Sequence, residues 1–119
     1  MEWSRCVGAA SAESYLTMND IITTLKAINN PVRLDILRWL KEPKVNFEVE
    51  DQLVDADEEG VCVSIIQEKT GLSQSTVSAY LATLQRAGLV ISNRIGPWTY
   101  YKRNDKQVDQ LLEELKRQL

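Results

Sequence analysis

Histidine is absent from the 119 residues. Its absence removes Ser–His and Cys–His catalysis and every imidazole metal site. Cysteine is scarce. Cys6 and Cys62 are the only two, too few for a disulfide scaffold, and a reducing cytoplasm is the default compartment. No apolar run approaches the roughly 18 residues of a membrane span. The N-terminus, MEWSRCVGAA, lacks a basic stretch followed by a long apolar core, so no secretory signal is expected. There is no Gly-rich phosphate loop and no metal-ligand spacing, and many of the acids fall in one loop. Neither an enzyme nor a cofactor is therefore expected. What remains is ordinary for a globular chain, 44% hydrophobic and 26% charged, of a length that suits one domain or one protomer of an oligomer.

Acid is also missing locally. The net charge of −3 argues against a polyanionic partner, but residues 69–104 contain no Asp or Glu and five bases: Lys69, Arg86, Arg94, Lys102 and Arg103. That segment carries +5 and the remainder −8. Attraction to phosphate depends on the local field, so a basic face on an acidic body is a workable nucleic-acid binder. An accidental gap in a helix and a hairpin is the alternative.

Within this segment lies the stretch around which the chain is organised, residues 63–89. It reads as two short helices joined by a tight turn. Ser64, with Gln67 three residues on, fits a capping box. Gly71 suits the end of the first helix at positive φ. Ser73 can cap a second helix that runs to about Ala87 and stops at Gly88. Val77, Tyr80, Leu81 and Leu84 fall on one side of it, and Ser75, Ala79, Ala82 and Arg86 on the other. An exposed helix face normally carries Glu, Lys and Gln. This one is small and hydroxylic, with one Arg and no acid, as a helix entering the major groove of DNA requires.

The rest of the chain frames that pair. Residues 1–11 read as a mobile arm, and 12–119 as one domain. A helix pattern begins near Ala12, with Met18, Ile21, Ile22, Leu25 and Ile28 on one face. Asn29-Asn30-Pro31 ends it, and Pro31 suits the first turn of a second helix running to about Leu40, with Val32, Ile36, Leu37 and Leu40 inward. The 42–60 connection is acidic, eight acids against Lys44, and reads as a solvated loop with a short strand or helical turn packed on the body. Asp55, Asp57, Glu59 and Gly60 match half of an EF-hand loop, but its twelfth position is Ile66, so the match is treated as accidental. After the helix pair, residues 89–94 and 98–103 flank Ile95-Gly96-Pro97 and read as a β-hairpin. Trp98, Tyr100 and Tyr101 are expected chiefly to pack across its strands. The last helix, 105–119, carries a stripe of Val108, Leu111, Leu112, Leu115 and Leu119.

A hairpin directly after a helix-turn-helix is the wing of a winged helix. The expected fold is therefore mainly α with a β-hairpin wing, in the order helix–helix–helix–helix–strand–strand–helix. The residues expected to face bases are Gln74, Ser75, Ser78 and Ala79. Ser73, Thr76, Arg86, Arg94 and Lys102 are better placed for phosphates. For Ser73 and Arg86, a plain cap and a plain surface cation are the alternatives. The partners expected are a palindromic DNA duplex and a second copy of the chain, with no membrane. The dimer contacts expected are Met18, Ile22, Leu25, Val108, Leu111, Leu112 and Leu115. A winged helix that binds only protein is the rival reading.

Several runs of residues are similar to the ArsR/SmtB family of bacterial winged-helix repressors. They are Pro31-Val-Arg33-Leu34-Asp-Ile36-Leu37, Cys62-Val63-Ser64, Gly71-Leu-Ser-Gln-Ser-Thr-Val-Ser78 with Leu81 and Leu84, Ala87-Gly88-Leu89-Val90, and Gly96-Pro-Trp98-Thr-Tyr-Tyr101. The resemblance covers residues 21–119. It implies a homodimer joined through its first and last helices, and a repressor that leaves its operator when an effector binds. The chain departs from the family in three places. The last-helix zinc site needs histidines. The thiolate pair has become Cys62-Val63-Ser64. Pro97 stands where the wing tip often carries a base. The resemblance further implies an arm that can reach the partner's third helix. On that ground Cys6 and Cys62 are candidates for a reversible disulfide or a two-thiolate soft-metal site. A buried structural Cys62 and an incidental Cys6 are the alternative.

Overall fold

The computed structural model describes residues 17–119. The expected arm at 1–11 and the expected first helical turn at 12–16 lie outside them. Side-chain caps set most helix boundaries. Thr17 and Asp20 form a reciprocal capping box, which starts α1 (Met18–Ile28). Asn30 accepts from the amides of Val32 and Arg33 and starts α2 (Pro31–Lys41), with Pro31 in the first turn. Arg33 then closes α1 from outside, donating to the carbonyls of Ala27 at 2.6 Å and Lys26 at 3.2 Å.

The buried face of α1 is rotated from the expected one. Ile21, Thr24 and Ala27 are buried, while Met18 and Ile22 are 59% and 44% exposed. Thr24 fits because its hydroxyl bonds the Asp20 carbonyl, leaving no unpaired polar atom in the interior.

The acidic connection is fastened to the body rather than solvated throughout. It contains two single turns, α3 (Pro43–Asn46) and α4 (Ala56–Glu59), and it buries Phe47 and Ala56. The Gln52 amide ties it down, donating to the carbonyls of Val54 and Gly60 and accepting from the Cys62 amide. Lys44 pairs with Asp55 at 2.6 Å and Asp57 at 3.5 Å. This pairing holds the Asp55 carboxyl below its ordinary range and the Lys44 ammonium above its own.

A short strand, β1 (Val61–Cys62), follows and had no counterpart in the sequence reading. It pairs antiparallel with the second strand of the hairpin, Val61 opposite Tyr101 and Cys62 opposite Tyr100. The wing is therefore the outer part of a three-stranded sheet, with the second strand of the hairpin in the middle. Gly60 makes this approach possible. Its φ is 108°, and a Cβ there would meet the Tyr101 carbonyl oxygen at 2.6 Å.

The same strand moves the next helix start. Because Cys62 is extended in β1, α5 (Val63–Thr70) begins at Val63, and Cys62 is its cap residue, with a side chain that caps no backbone amide. Ser64 is inside the first turn and does not cap it, contrary to the capping box expected there; its hydroxyl lies 3.3 Å from the Cys62 sulfur. Gly71, at φ 73°, ends α5 as expected. Ser73 accepts from the Thr76 amide and caps α6 (Gln74–Arg86). Val77, Leu81 and Leu84 are fully buried, packed with Ile36, Ile66 and Leu89.

The hairpin is β2 (Val90–Ile95) and β3 (Trp98–Arg103), in register from Val90 opposite Arg103 to Ile95 opposite Trp98. Tyr100 is buried and Tyr101 half-buried against the core, as cross-strand packing requires; Trp98 stays 47% exposed. Asn104 accepts from the Gln107 amide and starts α7 (Asp105–Gln118). The α7 stripe is divided. Val108 joins the main core, and Leu111 forms a smaller cluster with Ile21, flanked by Leu25 and Leu115. Val108 and Leu111, both expected at a dimer contact, are buried in their own chain at 7% and 4% exposure. Leu112, turned about 100° from Leu111 by the helix period, is 55% exposed.

Candidate nucleic-acid interface

Three buried anchors hold α6 from below, so its upper face is presented by a rigid element. Gln74, Ser75, Ser78 and Ala79 are all exposed in its N-terminal half. Ser73 and Thr76 belong to a local hydroxyl cluster. The Ser73 hydroxyl donates to Thr76 Oγ1 at 2.9 Å and lies 3.3 Å from Ser75 Oγ. The Ser73 hydroxyl also accepts from the Thr76 amide, and a helix start attracts anions. Further along, the Arg86 guanidinium lies 3.4 Å from the Thr83 hydroxyl and remains exposed.

Long-range contacts place α6 relative to its neighbours. The Arg33 guanidinium that closes α1 also lies 5.4 Å from the Tyr80 ring centroid, so one side chain joins α1, α2 and α6. Gln85 donates to the Ser92 hydroxyl at 3.0 Å and ties the end of α6 to β2. The sequence reading did not single out Gln85 for this tie, because nothing in the local pattern links it to a strand residue.

The five bases of the acid-free segment do not form one face. The Lys69 ammonium sits over the Trp39 ring at 4.8 Å, against the body of the protein. Arg103 pairs with Asp105, its side chain only 15% exposed. Lys102 turns back on the connection and donates to the Glu58 carbonyl at 3.2 Å. Beside it, Asn93 donates to the Glu59 carboxylate at 2.6 Å. Folding therefore carries an acid from outside the segment onto the wing. Among the described residues Arg94 is exposed and bonded only to the Gly96 carbonyl, and it and Arg86 are the cations of the five left open. The segment's +5 is a property of the sequence; the surface beside α6 offers less.

Cys62 is buried at 7% exposure, and Cys6 lies outside the described residues. Among the described residues no three His, Cys, Asp or Glu side chains come together in a way that could hold a metal ion. No helix among them is long and apolar enough to cross a membrane.

Known proteins agree with this geometry. Residues 56–92, from α4 through the helix pair into β2, match the family described as bacterial regulatory protein, arsR family. The chain is 45% identical over 98 residues to an uncharacterized HTH-type transcriptional regulator, YbzH, of Bacillus subtilis, covering 82% of this chain and 97% of that one. It is 32% identical over 94 residues to the HTH-type transcriptional regulator NmtR of Mycobacterium tuberculosis, covering 79% of this chain and 65% of that one. An ArsR-like transcriptional regulator from Rhodococcus sp. RHA1 shares the fold, with a TM-score of 0.63 at 18% identity, over 83% of this chain and 78% of that one. With the Bacillus subtilis regulator covered to 97% at 45% identity and the arsR-family match over the helix pair, the chain belongs to the arsR family of bacterial regulatory proteins and is a DNA-binding transcriptional regulator.

Proposed function

We propose that the chain is a homodimeric repressor that reads a palindromic operator with α6 of each protomer and leaves it when an effector binds. The observation that carries this is the exposed first half of α6, where four small or uncharged side chains stand above three buried anchors. Gln74 can pair with adenine and Ala79 can touch a thymine methyl, with Ser75 and Ser78 beside them. Ser73, Thr76, Arg86, Arg94 and Lys102 supply phosphate contacts, the last only after it leaves Glu58. Of the expected dimer contacts, Met18, Ile22 and Leu112 are exposed on α1 and α7 and Leu25 and Leu115 are partly so, and these meet a second copy. A paired molecule reads two half-sites, which a single small module cannot do.

The test is binding of a duplex from the gene's own promoter at several salt concentrations. Steep salt dependence with sequence preference supports the repressor. No binding even at low salt would support the rival, a winged helix that meets only protein.

Control by thiols is one form that the effector step can take, with Cys6 and Cys62 of opposite protomers forming a disulfide or holding a soft metal. It is supported by the position of Cys62 at the start of α5, and it must overcome the burial of that sulfur. Diamide treatment that leaves no disulfide and unchanged operator binding would dispose of it.

A further inference from the structure

Most of the exposed large apolar side chains fall into two groups. Met18, Ile22 and Leu112 lie on α1 and α7, with Leu119 at the chain end. The proposed dimer accounts for these. Val45, Leu53 and Trp98, exposed at 75%, 80% and 47%, all line one groove of about 1050 Å³ between the acidic connection, one side of α5 and strand β3. Neither DNA reading nor dimerisation uses them.

The charge of this groove is one-sided. Glu48, Glu50, Asp51 and Glu68 line it, and none has an ion pair or a side-chain hydrogen bond among the described residues. Its two lysines are already engaged, Lys44 by Asp55 and Asp57, and Lys69 by the rings of Trp39 and Phe47 at 4.8 and 6.0 Å. Phe47 is itself part of the lining. At one end, then, the groove already seats an ammonium against an aromatic ring. Trp98 and Tyr100 are the other aromatic residues of the lining, and Trp98 is the exposed one; the four acids of the same lining have no cation among the described residues.

We propose that this groove binds a small amphipathic organic cation, an ammonium or phosphonium with apolar substituents, and that this ligand is an effector of DNA binding. Leu53, Val45 and Trp98 take the apolar part, and Glu48 and Glu68 hold the charge. A duplex is repelled by the same acids. The volume of about 1050 Å³ is slightly above the roughly 300–1000 Å³ of small-molecule sites, as an open groove would be. The walls come from the connection, the first helix of the helix-turn-helix and the wing, so a guest that joins Leu53 to Trp98 shifts the wing against α5. The effector half of this proposal rests on the repressor reading; the binding half does not.

The experiment uses the full chain and two ions of the same shape, tetraphenylphosphonium and tetraphenylborate, followed by tryptophan emission. Trp98→Phe identifies the reporter among the three tryptophans. The phosphonium should quench saturably and the borate should bind about tenfold more weakly. Glu48→Gln with Glu68→Gln should cost the phosphonium about threefold, since both acids are exposed. Leu53→Ser should weaken it as well. Equal binding of the two ions, or a double variant that binds the phosphonium unchanged, overturns the site. Operator affinity is then measured with and without saturating phosphonium. A fall supports the effector step, and an unchanged affinity overturns it. Absence of operator binding before any cation is added would sink the repressor reading and leave the emission result standing.

Discussion

Helices α6 and α7 are nearly equal in length, 13 and 14 residues, and both are amphipathic, yet they meet solvent in opposite ways. Each fully buried anchor of α6 sits in the main core, and its outer face is small and hydroxylic. Between its two ends α7 passes from the main core to a two-residue cluster, and its outer face mixes charge with an open leucine. The inner face of α6 is complete, so its outer face can be shaped for an external ligand. On α7 the apolar stripe is wider than the core of the described residues covers. A helix with surplus leucine needs another surface, and a second copy is the proposed one.

The largest test of this contrast is in the core. Leu81→Ala should cost about 2–5 kcal/mol, read by denaturant unfolding, because the site is fully buried and densely packed. Leu111→Ala should cost about 2 kcal/mol, at the low end, since its small cluster can relax around the gap. Equal losses would break the comparison. Next, Met18→Ser with Leu112→Ser should leave the protomer folded and raise the dimer dissociation constant, read by sedimentation. A double variant that sediments as the parent does would remove α7 from the proposed interface.

Acid sensitivity sharpens the same difference. The Glu114 carboxyl on α7 accepts two bonds from Arg117 and one from Gln118, and the Arg117 guanidinium chiefly holds it below its ordinary 4.5. A carboxyl depressed in the folded state adds stability above the unfolded value. That stability is lost as pH falls below 4.5 through the folded value. Glu114→Gln should therefore flatten the acid limb of an unfolding profile, whereas α6 holds no acid that could do so. On the DNA side, Arg94→Ala should flatten the salt slope by about one unit. Lys102→Ala should do less, because its ammonium is already bonded to the connection. Ser78→Ala should have the smallest effect on affinity and show chiefly as relaxed sequence preference.

The helix pair was legible because its signals are local. A cap at Ser73, a left-handed Gly71 and a 3.6-residue period each act within one or two turns, and all three stand where the residues suggest. The hairpin was legible for the same reason. The capping role of Ser64 was misread because it depends on where Cys62 is extended, and that is decided by Tyr100, 38 positions away. The wing's charge was overestimated for a related cause. Glu59 reaches Asn93 across 34 positions, and no local pattern announces the contact.

By itself the sequence determined the helices, their stops, the presence of a wing, and a recognition face without acid. Caps, glycines and periodicity act on neighbouring residues, so composition and order suffice for them. Only the tertiary structure decided the third strand, the fastening of the acidic connection, the division of the α7 stripe, and which cations remain open. Those outcomes are set by pairings between distant segments, where one side chain's partner exists only once both segments are in place.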